Sequence, residues 1–348
     1  MVNQDPNDNP DVGIEQQFKN PIFIVGCPRS GTTLLQQMLD AHPDVAIAPE
    51  THFMKSFWDK REEYGDLTQD VNYQHLVQDI IALPEFVEME LSAEVFSTAA
   101  WCNERSYAAI FHLLLAQFAH SRGVRMVGEK TPGHVMHLPK LKQFFPSARF
   151  INIVRDPRAV VNSWRSVPWS DCIKGDSEVW RRNVSAARRW ASHSKSAIFT
   201  LHYEQLVAAP EKNLRSLCHF LDLEFTSDML NYHKQEKMIV NVQREPWKAR
   251  SVESISQAPL ARWKSELSGQ AVVDIEAVVW PEMSRFGYKA QTPLFRLLPQ
   301  VFSTLIKRRF RYAAIQIDHY FNKVKSLAEN GQLLNSLTSK LKRSLNLN

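Results

Sequence analysis

An arginine in a glycine-bounded loop, Gly26-Cys27-Pro28-Arg29-Ser30-Gly31-Thr32-Thr33, is placed to hold a phosphate. The run before it, Phe23-Ile24-Val25, has the length and apolar character of a short buried strand, and a helix is expected from Thr32 to Ala41. A strand, a tight turn and a helix start aim backbone N–H groups and the positive end of a helix dipole at one point, which stabilises an anion there. The spacing of Gly26 and Gly31 is that of a P-loop, yet Thr32 stands where a nucleotide triphosphatase carries its lysine. Without that lysine the loop can grip a phosphate but is not equipped for a Mg²⁺-bound triphosphate. A second anion site is encoded downstream. Arg155 follows the apolar run Phe150-Ile151-Asn152-Ile153-Val154, and Ser163 lies eight residues on, about two turns along the next helix. Such a pair can close on one phosphate from two sides.

The elements that must position these residues alternate. Strands are expected at 21–26, 44–48, 125–128, 149–154 and 197–202, with helices at 32–41, 139–145, from Pro157, at 177–194 and at 210–221. Proline at 157 suits a helix's first turn. This alternation implies an α/β fold with a central parallel sheet covered on both faces, and with the glycine-bounded loop the expected architecture is P-loop NTPase-like and three-layered. In such sheets ligands collect beyond the carboxyl ends of the strands, where both Arg29 and Arg155 stand. Residues 52–120 read as largely helical and aromatic, so Phe53, Phe57, Trp58, Tyr64, Tyr73 and Trp101 are expected to shape an acceptor pocket together with residues 165–180.

The loop and the later segment together resemble the PAPS-dependent sulfotransferases. Cys27-Pro28-Arg29-Ser30-Gly31-Thr32-Thr33-Leu34 is similar to that family's 5′-phosphosulfate loop, and Val154-Arg155-Asp156-Pro157-Arg158 through Ser163 to its 3′-phosphate motif. The segment Leu201-His202-Tyr203-Glu204-Gln205-Leu206 is similar to the one in which a tyrosine borders the adenine. The resemblance runs from about 21 to 288. Through Met38-Leu39-Asp40-Ala41-His42-Pro43-Asp44-Val45 it is nearest the protein-tyrosine and heparan-type branch, in a soluble member of bacterial type. It implies PAPS as co-substrate, bound by Arg29, Ser30, Gly31, Thr32, Thr33, Arg155, Ser163 and Tyr203. Lys248 and Arg250 join this set because 247–263 is similar to the loop that closes over the 3′-phosphate, although the family's Arg-Lys-Gly triplet is missing.

Sulfuryl transfer builds negative charge on the leaving oxygen and on the sulfuryl oxygens, as in phosphoryl transfer, so preorganised donors there carry much of the rate. Arg29 offers a planar fork, and Lys130, in Gly128-Glu129-Lys130-Thr131-Pro132, matches a lysine of the tyrosine-sulfating branch. The acceptor hydroxyl must lose a proton. Glu50, 21 residues after Arg29, stands where that branch carries its catalytic glutamate, and His52 is the alternative base. Partial burial is expected to strengthen Glu50 as a base. His134 and His137 lie three apart without a third ligand in view, and no metal is expected.

Composition sets the remaining expectations. The 348 residues carry a net charge of +5, with 44% hydrophobic and 23% charged residues. From 294 to 348 there are ten Lys/Arg and two acids, 10 − 2 = +8, which leaves about −3 for the rest. Three regions are expected: a disordered leader at 1–20, a transferase domain at 21–290, and a basic helical extension at 291–348. The extension reads as amphipathic helix in contact with the body, a second copy or an anionic membrane surface. Nucleic acid is not expected, since no recognition motif accompanies the charge. Four scattered cysteines, no apolar leader and no run of about 18 apolar residues suggest a cytoplasmic protein, at most peripheral to a membrane. Two other readings stay open, a P-loop kinase-like protein and an inactive scaffold. The acceptor could be a small metabolite, a glycan or lipid head group, or a tyrosyl side chain.

Overall fold

A computed structural model describes residues 21–235 and 243–310. The leader, residues 236–242 and the extension beyond 310 lie outside the described residues. Five parallel strands form the centre: β1 (Ile22–Gly26), β2 (Val45–Ala48), β3 (Met126–Lys130), β4 (Arg149–Val154) and β5 (Ile198–His202), in the order β2-β3-β1-β4-β5. The chain leaves β3 on one side of β1 and returns as β4 on the other, so the topology switches at the carboxyl end of β1, where open α/β sheets bind ligands.

Burial explains why the strands read as nearly continuous apolar runs. Both faces of β1 are covered: Phe23 and Val25 enter one core with the aromatics of the 53–145 region, and Ile22 and Ile24 enter another. The second core is built by α1 (Thr32–Asp40), which crosses from β1 to β2. The first is built by α2 (Asp70–Ile81), α3 (Ala93–Cys102), α4 (Tyr107–Arg122) and α5 (Leu138–Phe144). A third core joins α6 (Pro157–Trp164), α7 (Ile173–Ala191) and, after α8 (Tyr203–Ala208) and α9 (Pro210–Leu221), α10 (Gly269–Arg285). Residues 294–310 are helical and dock on α10 through Leu297 and Val301.

Two expectations change here. β3 continues to Lys130, so that lysine is the last residue of a buried strand rather than part of the loop after it. The aromatics expected to line an acceptor pocket are mostly core. Phe53, Phe57, Tyr64 and Tyr73 are buried, Phe53 stacks on Phe111 with centroids 4.1 Å apart, and Trp58 packs edge-on against Tyr107 and Phe144. Trp101 is exposed, with Arg105 over its ring. Apolar area removed from water outweighs any use of these rings at a cavity wall.

Candidate active site

The loop after β1 is fixed by backbone rather than by side chains. Gly26 has φ +146°, and a Cβ there would stand 2.5 Å from the Ile153 carbonyl of β4. Gly31, at φ +100°, opens α1 with no side-chain cap, and no acid occupies the first turn. The first N–H groups of α1 therefore face the cavity without a protein carboxylate to neutralise them. A Cβ at Gly31 would fall 2.3 Å from the Tyr203 ring, so this glycine lets that ring approach the loop closely. Between the glycines, Arg29 sits at φ +70°, which turns its side chain toward β4 and α6.

Two indoles pin the two arginine segments. Trp164 Nε1 donates to the Pro28 carbonyl (3.1 Å), and Trp180 Nε1 to the Arg155 carbonyl (3.0 Å). The segments also hold each other. Arg155 Nη1 donates to the Arg29 carbonyl (3.1 Å) and Nη2 to that of Pro259 (3.1 Å), while its guanidinium lies 4.4 Å from the Tyr203 ring centre. Arg29 Nε donates to Ser163 Oγ (3.2 Å) and Nη2 to the Trp247 carbonyl (2.7 Å). Burial first, then the neighbouring Arg155, pushes Arg29 down to about 10, still cationic at neutral pH. Burial also lowers Arg155, whose buried Nε has no partner. The next residue, Asp156, accepts from Arg158 Nε and Nη2 and caps α6 by accepting from the Arg158 amide, so it is committed to the helix start.

These groups share one cavity of about 920 Å³, lined among others by Arg29, Gly31, Thr32, Thr33, Arg155, Ser163, Tyr203, Trp247, Lys248 and Arg250. Among the described residues its cations are Arg29, Arg155, Arg165, Lys248, Arg250 and Arg262, against one carboxylate, Glu266. Of the residues expected at the nucleotide, Ser30 alone does not line it; its hydroxyl is buried and unpartnered. Asn162, Arg165 and Arg262 line it without having been expected. Arg165 was visible two residues beyond Ser163, but nothing in the sequence pointed it inward. Arg165 Nη1 donates to the Glu266 carbonyl (3.0 Å) and Arg262 Nε to the Glu266 carboxylate (2.8 Å).

Beside this cavity lies a small polar cleft around Glu50, where the ends of β2 and β3 meet. Glu50 Oε1 accepts from Lys130 Nζ and from Lys248 Nζ (2.8 Å), and Lys248 also donates to Glu245 (2.6 Å). His52, at φ +50° and half-exposed, puts Nε2 3.7 Å from Glu50 Oε2. The cleft is completed by Glu85, Glu88 and Arg244, whose guanidinium bridges the two glutamates. Lys248 thus sits between the two regions and lines both, with its ammonium on Glu50.

The expectation of a strengthened base does not hold in this state. Burial pushes the Glu50 carboxyl up, but the Lys130 and Lys248 ammonium groups outweigh it and hold Glu50 well below the usual carboxylate range. A buried clamp that sequence reasoning missed aligns the pair. Glu129, on β3, accepts through Oε1 from the Thr51 amide (3.1 Å), Thr51 Oγ1 (3.0 Å) and Thr131 Oγ1, and His134 Nδ1 lies 3.0 Å from its Oε2. The Met54 amide donates to His134 Nε2 (3.3 Å), which leaves Nδ1 as the protonated nitrogen facing Glu129. His134 is therefore part of this clamp, which ties the segment carrying Glu50 to the strand carrying Lys130.

Lys130 gives a pH prediction. Burial, with Lys248 nearby, lowers it from the ordinary 10.5 to about 8 against the pull of Glu50. If its ammonium serves the leaving oxygen, kcat/KM falls tenfold per pH unit above about pH 8. The same group acts oppositely on stability. Between about 8 and 10.5 the unfolded chain binds the proton more tightly, so unfolding free energy rises with pH there. A kcat/KM profile flat from pH 7 to 10 would remove Lys130 from this role.

Residues 21–227 match the family model described as "Sulfotransferase family". The chain is 28% identical over 290 residues to protein-tyrosine sulfotransferase 1 of Danio rerio, covering 77% of this chain and 72% of that one. It is 26% identical over 277 residues to protein-tyrosine sulfotransferase A of Caenorhabditis elegans, covering 77% and 67%. The fold is shared with the sulfotransferase domain from the Synechococcus PCC 7002 olefin synthase, at a TM-score of 0.58 and 23% identity over 79% of this chain and 97% of that domain.

Proposed function

We propose a division of labour among residues for this chain, which belongs to the sulfotransferase family and moves a sulfuryl group from PAPS to an acceptor hydroxyl. The observation that carries it is the direct bond from Arg155 to the Arg29 carbonyl, which makes the two arginine segments one unit on one cavity. PAPS has a 5′-phosphosulfate and a separate 3′-phosphate, and needs two anion sites on one wall. Arg29, Thr32, Thr33 and the α1 N-terminus suit the first, and Arg155 with Ser163 the second. The unpartnered Arg155 Nε and the uncapped start of α1 are donors that such an anion can satisfy. Tyr203, close against Gly31 and under Arg155, suits a place beside the adenine.

Glu50 takes the acceptor proton, and Lys130 faces the leaving oxygen. The pairing that weakens Glu50 also couples its strength to the donor. An anion in the cavity competes for the Lys248 ammonium, which lines both regions, and every contact it takes returns proton affinity to Glu50. A base held low in this way favours an acidic hydroxyl. A phenol, with a pKa near ~10, is within its reach far more readily than an alkyl alcohol. A tyrosyl or related phenolic acceptor therefore fits, as the names of the two relatives also support. At the cleft mouth Arg244 bridges Glu85 and Glu88, and among the described residues the cleft is lined by Lys130, Lys248 and Arg244 against Glu50, Glu85, Glu88 and Glu245, which gives an acidic partner no surplus of cations. A kinase-like reading fares worse, because Thr32 is not lysine and Asp156 is spent on Arg158.

Calorimetry tests the donor assignment. The 3′,5′-bisphosphate of adenosine is expected to bind without Mg²⁺ and far more tightly than ATP–Mg²⁺; the reverse order would sink the reading. Steady-state assays then compare a tyrosyl peptide with an alkyl alcohol, and equal turnover on both would overturn the phenolic preference.

A further inference from the structure

The helix at 294–310 carries a feature that sulfuryl transfer does not use. Its charged residues are Arg296, Lys307, Arg308 and Arg309, with no acid among its 17 residues. One flank is docked: Leu297 and Val301 are buried against Ala277 and Trp280, and Arg308 Nη2 donates to the Val278 carbonyl (2.6 Å) and pairs with Glu178. The rest faces outward. At about 100° per residue, Leu294, Leu298, Leu305, Phe302, Phe295, Ile306 and Phe310 fall on one continuous arc. All seven are exposed, three of them phenylalanines at 66% or more. Singly exposed apolar residues are ordinary, but a contiguous stripe of this size marks a docking surface.

We propose that this face lies on an anionic lipid bilayer, with the helix in the plane of the headgroups. Charge decides the occupant. Arg296 and Lys307 border the apolar arc and Arg309 stands within it, all three exposed and none with an acid on this helix to pair with. A second copy meeting the face about a two-fold axis would set these cations against their own like. Lipid phosphates accept them, while the arginine and lysine stems lie along the acyl boundary and the rings enter it. The remainder of the chain up to 293 carries about −3, so the attraction must come from this helix and the basic sequence after it. Near an anionic surface each such cation strengthens binding roughly fivefold.

Sedimentation of the full chain with vesicles tests this. It is expected to pellet with phosphatidylglycerol–phosphatidylcholine vesicles, to release in high salt, and to stay in solution with phosphatidylcholine alone. The triple change Phe295→Ser, Phe302→Ser and Phe310→Ser leaves the docked flank untouched and should weaken vesicle binding at least tenfold. Transfer to a soluble acceptor should be unchanged. Should that variant fail to fold, Lys307→Glu with Arg309→Glu replaces it, with the same loss expected. Absence of pelleting, or variants that pellet like the parent, would overturn the proposal. So would a shift from dimer to monomer in the triple variant without loss of vesicle binding, which would assign the face to a second copy.

Discussion

Glu50→Gln lowers kcat by about 10²–10⁴-fold, the range a positioned general base supplies, and does not weaken binding of the nucleotide product. The two readouts separate because of where Glu50 stands. Its carboxylate touches Lys130 and Lys248 and does not line the large cavity that holds Arg29 and Arg155. Gln is close in shape but cannot take a proton. It also removes the anion that occupies the two ammonium groups, so product affinity should stay level or rise. Turnover measured at saturating donor, together with calorimetry on the same variant, gives both numbers. Unchanged turnover would move the base to His52, 3.7 Å away. Loss of both together would mean that Glu50 serves only to hold the lysines.

Arg29→Ala should cost more than 10²-fold in single-turnover rate, since one preorganised donor at a developing charge is worth about 10²–10³. The change also releases Ser163 and the Trp247 carbonyl, so the 247 segment loses its tie to the loop. Arg29→Lys should rescue little. A lysine cannot reproduce the fork that reaches Ser163 through Nε and Trp247 through Nη2. A lysine variant within threefold of the parent would show that charge alone matters at this position. The main chain should survive either substitution, because Trp164 holds the Pro28 carbonyl independently of the arginine.

That the loop arginine and the second arginine segment meet was legible because each is local. A glycine-bounded turn after an apolar run, and an arginine followed by a serine two turns on, each bring their groups together within a dozen residues. The parallel sheet then needs only to set β1 beside β4, which places Arg29 near Arg155. Glu50 and Lys130 were nameable as strand-end residues, but their contact depends on β3 pairing with β2, a neighbour relation that alternation alone does not specify. Three features were out of reach. Lys248 meets Glu50 across 198 positions from a 3₁₀ segment, Pro246–Val252, which has no periodicity to read. The Glu129 clamp uses residues whose types are ordinary and whose meeting is wholly tertiary. The aromatics of 53–101 were read for a cavity because ring type is visible in a sequence, whereas which way a ring faces is decided by packing.

The cluster of six cations around one wall bears on the release of product. When the sulfuryl group departs, the adenosine bisphosphate left behind still carries both phosphates, and the grip on them is undiminished. Exit of that spent carrier then has to break the same ionic holds that captured the donor. Added salt, which screens those holds, is expected to speed dissociation of the bisphosphate in a stopped-flow displacement experiment.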